Sequence, residues 1–231
     1  MENLAITWLG HSAFCMRTPG GKELLFDPWY TGNPSFVESA RPKVADLILV
    51  SHGHSDHITD AAAMAKSTGA SVVGIWEVTS WLGSKGVKNL EPMNKGGTIT
   101  AKGLRITMTD ARHSSSVDDK GIVYLGEPAG FVIELENGQT IYYAGDTSLF
   151  GDMKLIGELY KPTIAFLPIG DRFTMGPDTA ALAAQWLGVK MVVPMHYGTF
   201  PLLTGTPDQL EQHLAGTGIE VLKLKPGETA Q

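Results

Sequence analysis

Short apolar runs separated by turn-forming residues open the chain. Residues 3–9, 12–18 and 23–27 read as three strands, broken at Gly10-His11 and at Pro19-Gly20-Gly21, and together they predict a meander. Leu47-Ile48-Leu49-Val50 is a continuous apolar run that suits a buried strand. An Ala-rich segment follows, predicting a helix that is capped at Asp60 or Thr59, runs to about Lys66 and stops at Gly69. Ser71 to Ile75 reads as a parallel strand. Between these elements, residues 28–42 carry Trp29, Tyr30 and Phe36 among prolines and glycine, a composition that predicts a rim loop rather than a core element.

The second half repeats the theme with more helices. Strands are predicted at 97–100, 104–109, 131–136 and 140–144, with Asn137-Gly138 as the hairpin signal between the last two, then at 163–168, 191–194 and 219–224. Helices fall at about 150–158, 178–187 ending at Gly188, and 207–215. The last opens on a capping box, with Thr206 before Pro207 and Gln209 three residues after the cap. An antiparallel first part followed by βα units implies an α/β fold in which two sheets pack face to face with helices outside.

Composition narrows the setting. With 231 residues, 43% hydrophobic and 18% charged, the chain can bury a sizeable core as one domain spanning 1–231. The start, from Met1 to Thr7, has no basic segment followed by an apolar one, and no run is long enough to cross a bilayer, so a cytoplasmic protein with no membrane partner is expected. Cys15 is the sole cysteine, which excludes an internal disulfide and predicts a thiol buried in a strand. A net charge of −6 argues against a large nucleic-acid footprint and favours a small-molecule substrate; a homo-oligomer stays open.

The densest chemistry lies in Ser51-His52-Gly53-His54-Ser55-Asp56-His57, on a loop between predicted strand and predicted helix. Residues two apart in an extended loop point the same way, so His52 and His54 can hold one cation while Asp56 and His57, past the turn, face a neighbouring point. Imidazole nitrogen and carboxylate oxygen suit zinc, manganese, iron or nickel. Open α/β sheets place their sites just past the carboxyl ends of strands, and three further residues stand there: His113, Asp146 and His196. Taken alone, each has a plainer reading. Asp146 in Ala-Gly-Asp-Thr-Ser could cap a helix beginning near Leu149, His196 could be a core histidine, and His113 rests most on the rest of the set. His213, in an ordinary helix, reads as surface or packing.

His52-Gly53-His54-Ser55-Asp56-His57 resembles the HxHxDH signature of the metallo-β-lactamase superfamily, and the resemblance spans nearly the whole chain. It implies the four-layer αββα sandwich of that superfamily. It also implies a ligand partition: His52, His54 and His113 on one metal, Asp56, His57 and His196 on the other, and Asp146 between them. The implied cofactor is two divalent metal ions, zinc first, with manganese, nickel and iron as alternatives. Such a pair, about 3.5–4 Å apart, lowers the pKa of a shared water toward about 7, which makes a bridging hydroxide the nucleophile and Asp56 the group placed to manage its proton.

The setting of His11, Leu9-Gly10-His11-Ser12-Ala13-Phe14, resembles a small branch that includes uncharacterised metal-dependent hydrolases, ascorbate-6-phosphate lactonase and N-acyl-phosphatidylethanolamine phospholipase D. His11 then reads either as a catalytic-site group supporting a ligand or facing substrate, near Asp27 of Phe26-Asp27-Pro28-Trp29, or as a turn histidine bonded to backbone. Some subclasses fall away. Zinc β-lactamases of the commonest type use a cysteine ligand, whereas this chain has His57 and its cysteine is at position 15. The 35 residues after His196 leave little room for the helical domain of glyoxalase II, and the intervals between ligands leave none for the inserted domain of the processing nucleases. Flavodiiron electron transfer would want a flavin domain, also absent.

A small ester, lactone or phosphoester remains as substrate. Arg112, Arg172 and Tyr197 are candidate substrate-binding residues, and Phe173, Met175, Phe200, Leu202 and Leu203 a candidate apolar lip. The alternatives from other classes are a compact phosphodiesterase or nuclease, and a non-catalytic metal-binding sensor.

Overall fold

The computed structural model describes residues 3–231, so that Met1 and Glu2, which open the N-terminal segment read above, lie outside the described residues. The elements in chain order are β1 (Ala5–Gly10), β2 (Ala13–Arg17), β3 (Glu23–Phe26), β4 (Leu47–Leu49), α1 (Ser55–Ile58), α2 (Ala61–Thr68), β5 (Ser71–Ile75), α3 (Trp76–Ser84) and β6 (Leu90–Met93). There follow β7 (Thr98–Ala101), β8 (Leu104–Asp110), β9 (Ser116–Asp118), β10 (Ile122–Tyr124), β11 (Ala129–Glu134), β12 (Thr140–Tyr143) and α4 (Met153–Tyr160). The chain ends with β13 (Ile164–Pro168), α5 (Pro177–Leu187), β14 (Met191–Met195), α6 (Pro207–His213), β15 (Glu220–Val221) and β16 (Thr229–Ala230).

Two seven-stranded sheets result, in the orders β16-β1-β2-β3-β4-β5-β6 and β15-β14-β13-β12-β11-β8-β7; β9 and β10 form a separate hairpin. The meander β1–β2–β3 is antiparallel, and from β3 onward the first sheet is parallel. In the second sheet β7, β8, β11 and β12 are antiparallel, and β12 to β15 are parallel. Helix α3 packs on β5 and β6, α5 on β13, and α6 on β15, which puts helices outside the sheets.

The strands in the middle of each sheet are apolar on both faces because one face meets a helix and the other meets the opposite sheet. β4 and β13 are buried at every position. Aromatic rings join the two sheets. Phe14 on β2 meets Phe166 on β13 edge-on at 4.9 Å, and Phe26 on β3 stacks on Tyr143 of β12 at 4.7 Å. Pairs of this kind contribute about 0.5–1.5 kcal/mol each beyond their buried area. One contiguous cluster of buried side chains runs from Leu4 to Leu224.

Local signals explain the element ends. Gly69 and Gly188 close α2 and α5 in the left-handed conformation, with φ of 72° and 66°. The capping box of α6 forms as expected, Gln209 N–H donating to Thr206 Oγ1. Asn137-Gly138 turns the β11–β12 hairpin.

Two expectations change, and two further features have no counterpart in the sequence reading. Asp60 stands at the start of α2 without capping it; its carboxylate instead accepts from the backbone N–H groups of Tyr30 and Thr31 and from the Thr31 hydroxyl. That pins the aromatic loop down, so Trp29 and Tyr30 are buried rather than on a rim. α3 and β6 carry no clean period in the sequence, since Gly83 interrupts one and Pro92 the other. The β9–β10 hairpin, with three residues in each strand, is too short to read as a pair of strands even though Ile122-Val123-Tyr124 suits one. No helix among the described residues is long and apolar enough to cross a membrane.

Candidate metal centre

Six strands end at one place. His11 follows β1, Asp27 follows β3, the 52–57 loop follows β4, His113 follows β8, Asp146 follows β12 and His196 follows β14. His11, Asp27 and His196 come directly after their strands and adopt φ of 57°, 42° and 55°, values that non-glycine residues rarely take. Leaving the pleat this way turns each side chain into the site, and each such residue costs about 1–3 kcal/mol of backbone strain that the surrounding packing must hold.

The loop itself is fixed by contact. A Cβ on Gly53 would sit 2.7 Å from a methyl carbon of Leu125, so only glycine lets His52 and His54 run this close to the next layer. Gly53 N–H also donates to Ser115 Oγ. Past it, α1 turns Asp56 and His57 back toward the second sheet.

Asp146 is 2% exposed and reaches across both groups of ligands. Its Oδ2 lies 3.0 Å from His196 Nε2, 3.2 Å from His57 Nε2 and 3.7 Å from His113 Nε2. The first turn of α4 is seven residues further on, so the helix-capping reading of Asp146 does not apply. His52 Nε2 and His54 Nδ1 are 3.0 Å apart, close to the ~3.3 Å edge of a tetrahedral site with metal–nitrogen bonds of about 2.0–2.1 Å. Among the described residues three groups of donor atoms converge closely enough to hold an ion: His52, His54 and His113; His11, Asp56, His57 and His196; and Asp27, His52 and His57, the last joined by hydrogen bonds through Asp27.

Proton accounting tests whether these residues fit a metal. Asp27 is buried and accepts from Ser51 N–H, the Ser51 hydroxyl and the Tyr143 hydroxyl. Since the Ser51 proton goes to Asp27, Ser51 Oγ must accept from His52 Nδ1 at 2.9 Å, which leaves His52 Nε2 as a bare lone pair facing His54. His57 Nδ1 lies 2.8 Å from Asp27 Oδ2 and donates to it, so Nε2 of a neutral His57 would aim a second lone pair at Asp146 and Asp56. His57 Nε2, Asp146 Oδ1 and His196 Nδ1 are buried without a hydrogen-bond partner. Lone pairs and carboxylates facing one another in a dry site need a cation between them, and the donor set fits one.

The charge distribution says the same. Burial drives the His57 imidazole toward its neutral form, but Asp146, Asp27 and Asp56 around it outweigh burial and raise its pKa well above the ordinary value. Burial likewise works against the Asp146 carboxylate, yet His196 and His57 hold its pKa well below the usual range. Burial and the neighbouring His57 push His52 well below the ordinary histidine value, and burial lowers His54 and His113 as well. Neutral imidazoles are the form that binds metal, which His52, His54 and His113 already favour, whereas His57 holds a proton that an ion would displace.

His11 belongs with Asp56 rather than with Asp27. Its Nε2 lies 3.1 Å from Asp56 Oδ2 and its Nδ1 2.9 Å from Thr199 Oγ1, with no exposed surface. Burial and the nearby His196 lower its pKa to about 4, so it is neutral, and facing an acceptor-only carboxylate it carries its proton on Nε2. Both ring nitrogens are therefore engaged, and the turn-histidine reading fails because neither bonds to backbone.

A cavity of about 280 Å³ opens on His54, Asp56, His113, Asp146 and His196. Arg112, Arg172 and Tyr197 do not line it. The Arg112 guanidinium, on a residue that is largely exposed, turns to Asp110 and the Phe150 ring; that of Arg172 lies over Phe173; Tyr197 stacks on Trp8 at 4.9 Å and points its hydroxyl toward the Leu224 carbonyl. Of the expected lip, Phe173 and Phe200 are present, Met175 and Leu203 are core residues, and Leu202 is exposed elsewhere. His213 is exposed at the end of α6. The residues that sequence reading undervalued are Asp27, Ser51, Tyr143 and Thr199. Asp27 could have been found by the same strand-end rule as the ligands, whereas Tyr143 looks like any core aromatic.

Residues 5–196 match the β-lactamase superfamily domain. A metal-dependent hydrolase of Rubrobacter xylanophilus is 52% identical over 229 residues, covering 96% of this chain and 94% of that protein. One from Solibacter usitatus is 48% identical over 229 residues, covering 99% and 100%. Among solved structures, a metallo hydrolase of the hyperthermophilic archaeon Ignicoccus hospitalis aligns with a TM-score of 0.87 at 38% identity, over 98% of this chain and 97% of that one. With the strand-end cluster of imidazoles and carboxylates, these matches show that the chain belongs to the β-lactamase superfamily, among its metal-dependent hydrolases.

Proposed function

We propose that the chain is a binuclear hydrolase of a small ester, lactone or phosphoester, with His52, His54 and His113 holding one divalent ion, Asp56, His57 and His196 the other, and Asp146 shared. The observation that carries this reading is the position of Asp146, one oxygen of which faces His57 and His196 on one side and His113 on the other. Zinc suits the nitrogen-rich donor set best. Two bound ions supply a water acidic enough to lose its proton near neutral pH and polarise the group under attack.

The chain's own residues do the rest. Asp56 faces the cavity, more exposed than Asp146, and is the carboxylate placed to take a proton from a water at the cavity floor. His11 donates to Asp56 and keeps that carboxylate pointed into the cavity, and Thr199 holds His11 in turn. Asp27 sets the proton positions of His57 directly and of His52 through Ser51. The test is elemental analysis of purified and zinc-reconstituted protein with turnover on a panel of esters, lactones and phosphoesters. Close to two ions per chain and chelator-sensitive turnover are expected, with His54→Ala and His57→Ala each losing at least one ion and activity while staying folded. One ion or none in the reconstituted wild type would overturn the binuclear assignment.

A further inference from the structure

Above the ligand floor, the cavity is walled by Ser114, Phe173 and Phe200. No lysine or arginine lines it, and the two arginines near its mouth are directed to Asp110 and Phe150 or lie over the Phe173 ring. Of the eight phenylalanines in the chain, only Phe173 and Phe200 are exposed, at 49% and 37%, and both are on this wall. Exposed aromatic surface that lies together at a concave site marks a binding face, whereas scattered exposed apolar residues need no explanation.

Phe200 is held in place before anything binds, and Phe173 is positioned by its turn. Phe200 packs against Trp29 at 6.0 Å and against the edge of His11 at 5.7 Å. Phe173 projects from a tight turn in which Asp171 and Arg172 adopt φ of 65° and 43°. In that turn the Thr174 N–H donates to the Asp171 carbonyl and the Asp171 N–H to the Met175 carbonyl. A positive φ at two successive non-glycine residues is strained backbone, and here it places the ring over the cavity. A ring packed like that of Phe200 loses little freedom when a ligand arrives.

Resting on the hydrolase reading above, we infer that the site takes an uncharged carboxylic ester or lactone whose non-reacting portion is a flat apolar group seated against Phe173 and Phe200. The reacting carbonyl meets the carboxylate and imidazole floor, and Ser114 offers a single hydroxyl for a polar edge. A substrate carrying phosphate on its recognised side would find the two phenyl rings there, no lysine or arginine among the lining residues, and Arg172 engaged on the Phe173 ring.

The test uses the zinc-loaded full chain and compares methyl phenylacetate, methyl acetate and methyl phosphonoacetate, whose phosphonate lies on the non-reacting side, in the wild type, in Phe173→Ala and in Phe200→Leu. Seating a phenyl ring should favour methyl phenylacetate over methyl acetate in kcat/KM by about tenfold to a hundredfold, with methyl phosphonoacetate below both. Phe173→Ala should narrow the gap between the esters about tenfold through KM. Phenylacetamide should bind chelator-treated protein, read by the fluorescence of Trp29 beside Phe200, and bind about tenfold more weakly to Phe173→Ala. Equal rates on the two uncharged esters, preference for methyl phosphonoacetate, or a ratio of the uncharged esters unmoved by Phe173→Ala would overturn the inference while leaving the hydrolase reading in place. No turnover of any ester with Phe173-dependent binding intact would overturn the hydrolase reading and support the pocket. A drop in oligomer mass in Phe173→Ala with KM unchanged would assign the rings to a contact between copies instead.

Discussion

Asp27 governs two histidines that the sequence places in different ligand groups. It fixes His57 by direct contact and His52 through the Ser51 hydroxyl. Asp27→Asn keeps the shape but offers an amide where an acceptor is needed, so His57 no longer has a reason to carry its proton on Nδ1. Metal affinity should fall by about tenfold to a hundredfold, measured by competition with a chromogenic chelator, with the circular dichroism spectrum unchanged. Unaltered affinity would mean that Asp27 is structural only. The metal cluster was legible because three histidines and an aspartate crowd six positions; Asp27 was less so because its partners are 24, 30 and 116 residues away. Cys15 is a second residue whose setting makes a pH prediction. Burial and then Glu23 raise its thiol from 9.0 to about 12. Below pH 9 the thiol is protonated whether the chain is folded or not; above it the unfolded chain ionises first, so stability is lost as pH rises toward 12. The drop in stability between pH 8 and 10, measured by urea unfolding, should be smaller in Cys15→Ala than in the wild type.

At the scale of elements, capping chemistry predicted the helices that it actually caps. Thr206 and Gln209 close the start of α6 as read, and Gly69 and Gly188 end α2 and α5. Asp60 has the right residue type at the right place and does something else, because three donors of the aromatic loop outbid one helix N–H. A sequence cannot rank those partners, since the loop lies about thirty residues upstream. The difference is measurable. Thr206→Ala should lower stability by about 1 kcal/mol, the usual worth of an N-cap, and leave turnover alone. Asp60→Ala should cost about 3 kcal/mol or more, because it strands buried backbone donors. It should also raise KM, since Trp29 on the freed loop supports Phe200. Equal thermal shifts for the two variants would show that the loop does not depend on Asp60.

For the whole molecule, the arrangement of strand ends has a thermodynamic consequence. The first sheet supplies His11, Asp27 and the 52–57 loop, and the second supplies His113, Asp146 and His196, so each proposed ion joins one sheet to the other. Periodicity along the chain gave most of the strands, the 52–57 motif gave four ligands and the strand-end rule three, but none of these says which strand ends meet; that depends on the seam of Phe14, Phe26, Tyr143 and Phe166 that sets how the sheets face. The seam is apolar and independent of metal, whereas the ligand end holds three carboxylates, Asp27, Asp56 and Asp146, which without metal are balanced only by the protonated His57 imidazole between them. Removing metal should therefore open the molecule from that end without unfolding it. Chelator-treated protein should keep its secondary structure, and zinc at a thousand times its Kd should restore about 4 kcal/mol of stability per site. Hydrogen exchange should locate the change. Amides at 51–57, 111–115, 145–148 and 196–199 should lose protection on chelation, while those of β2, β3 and β13 keep theirs. Uniform loss of protection would mean that the metal supports the whole core, and no loss at all would mean that the two sheets are held at the site by hydrogen bonds alone.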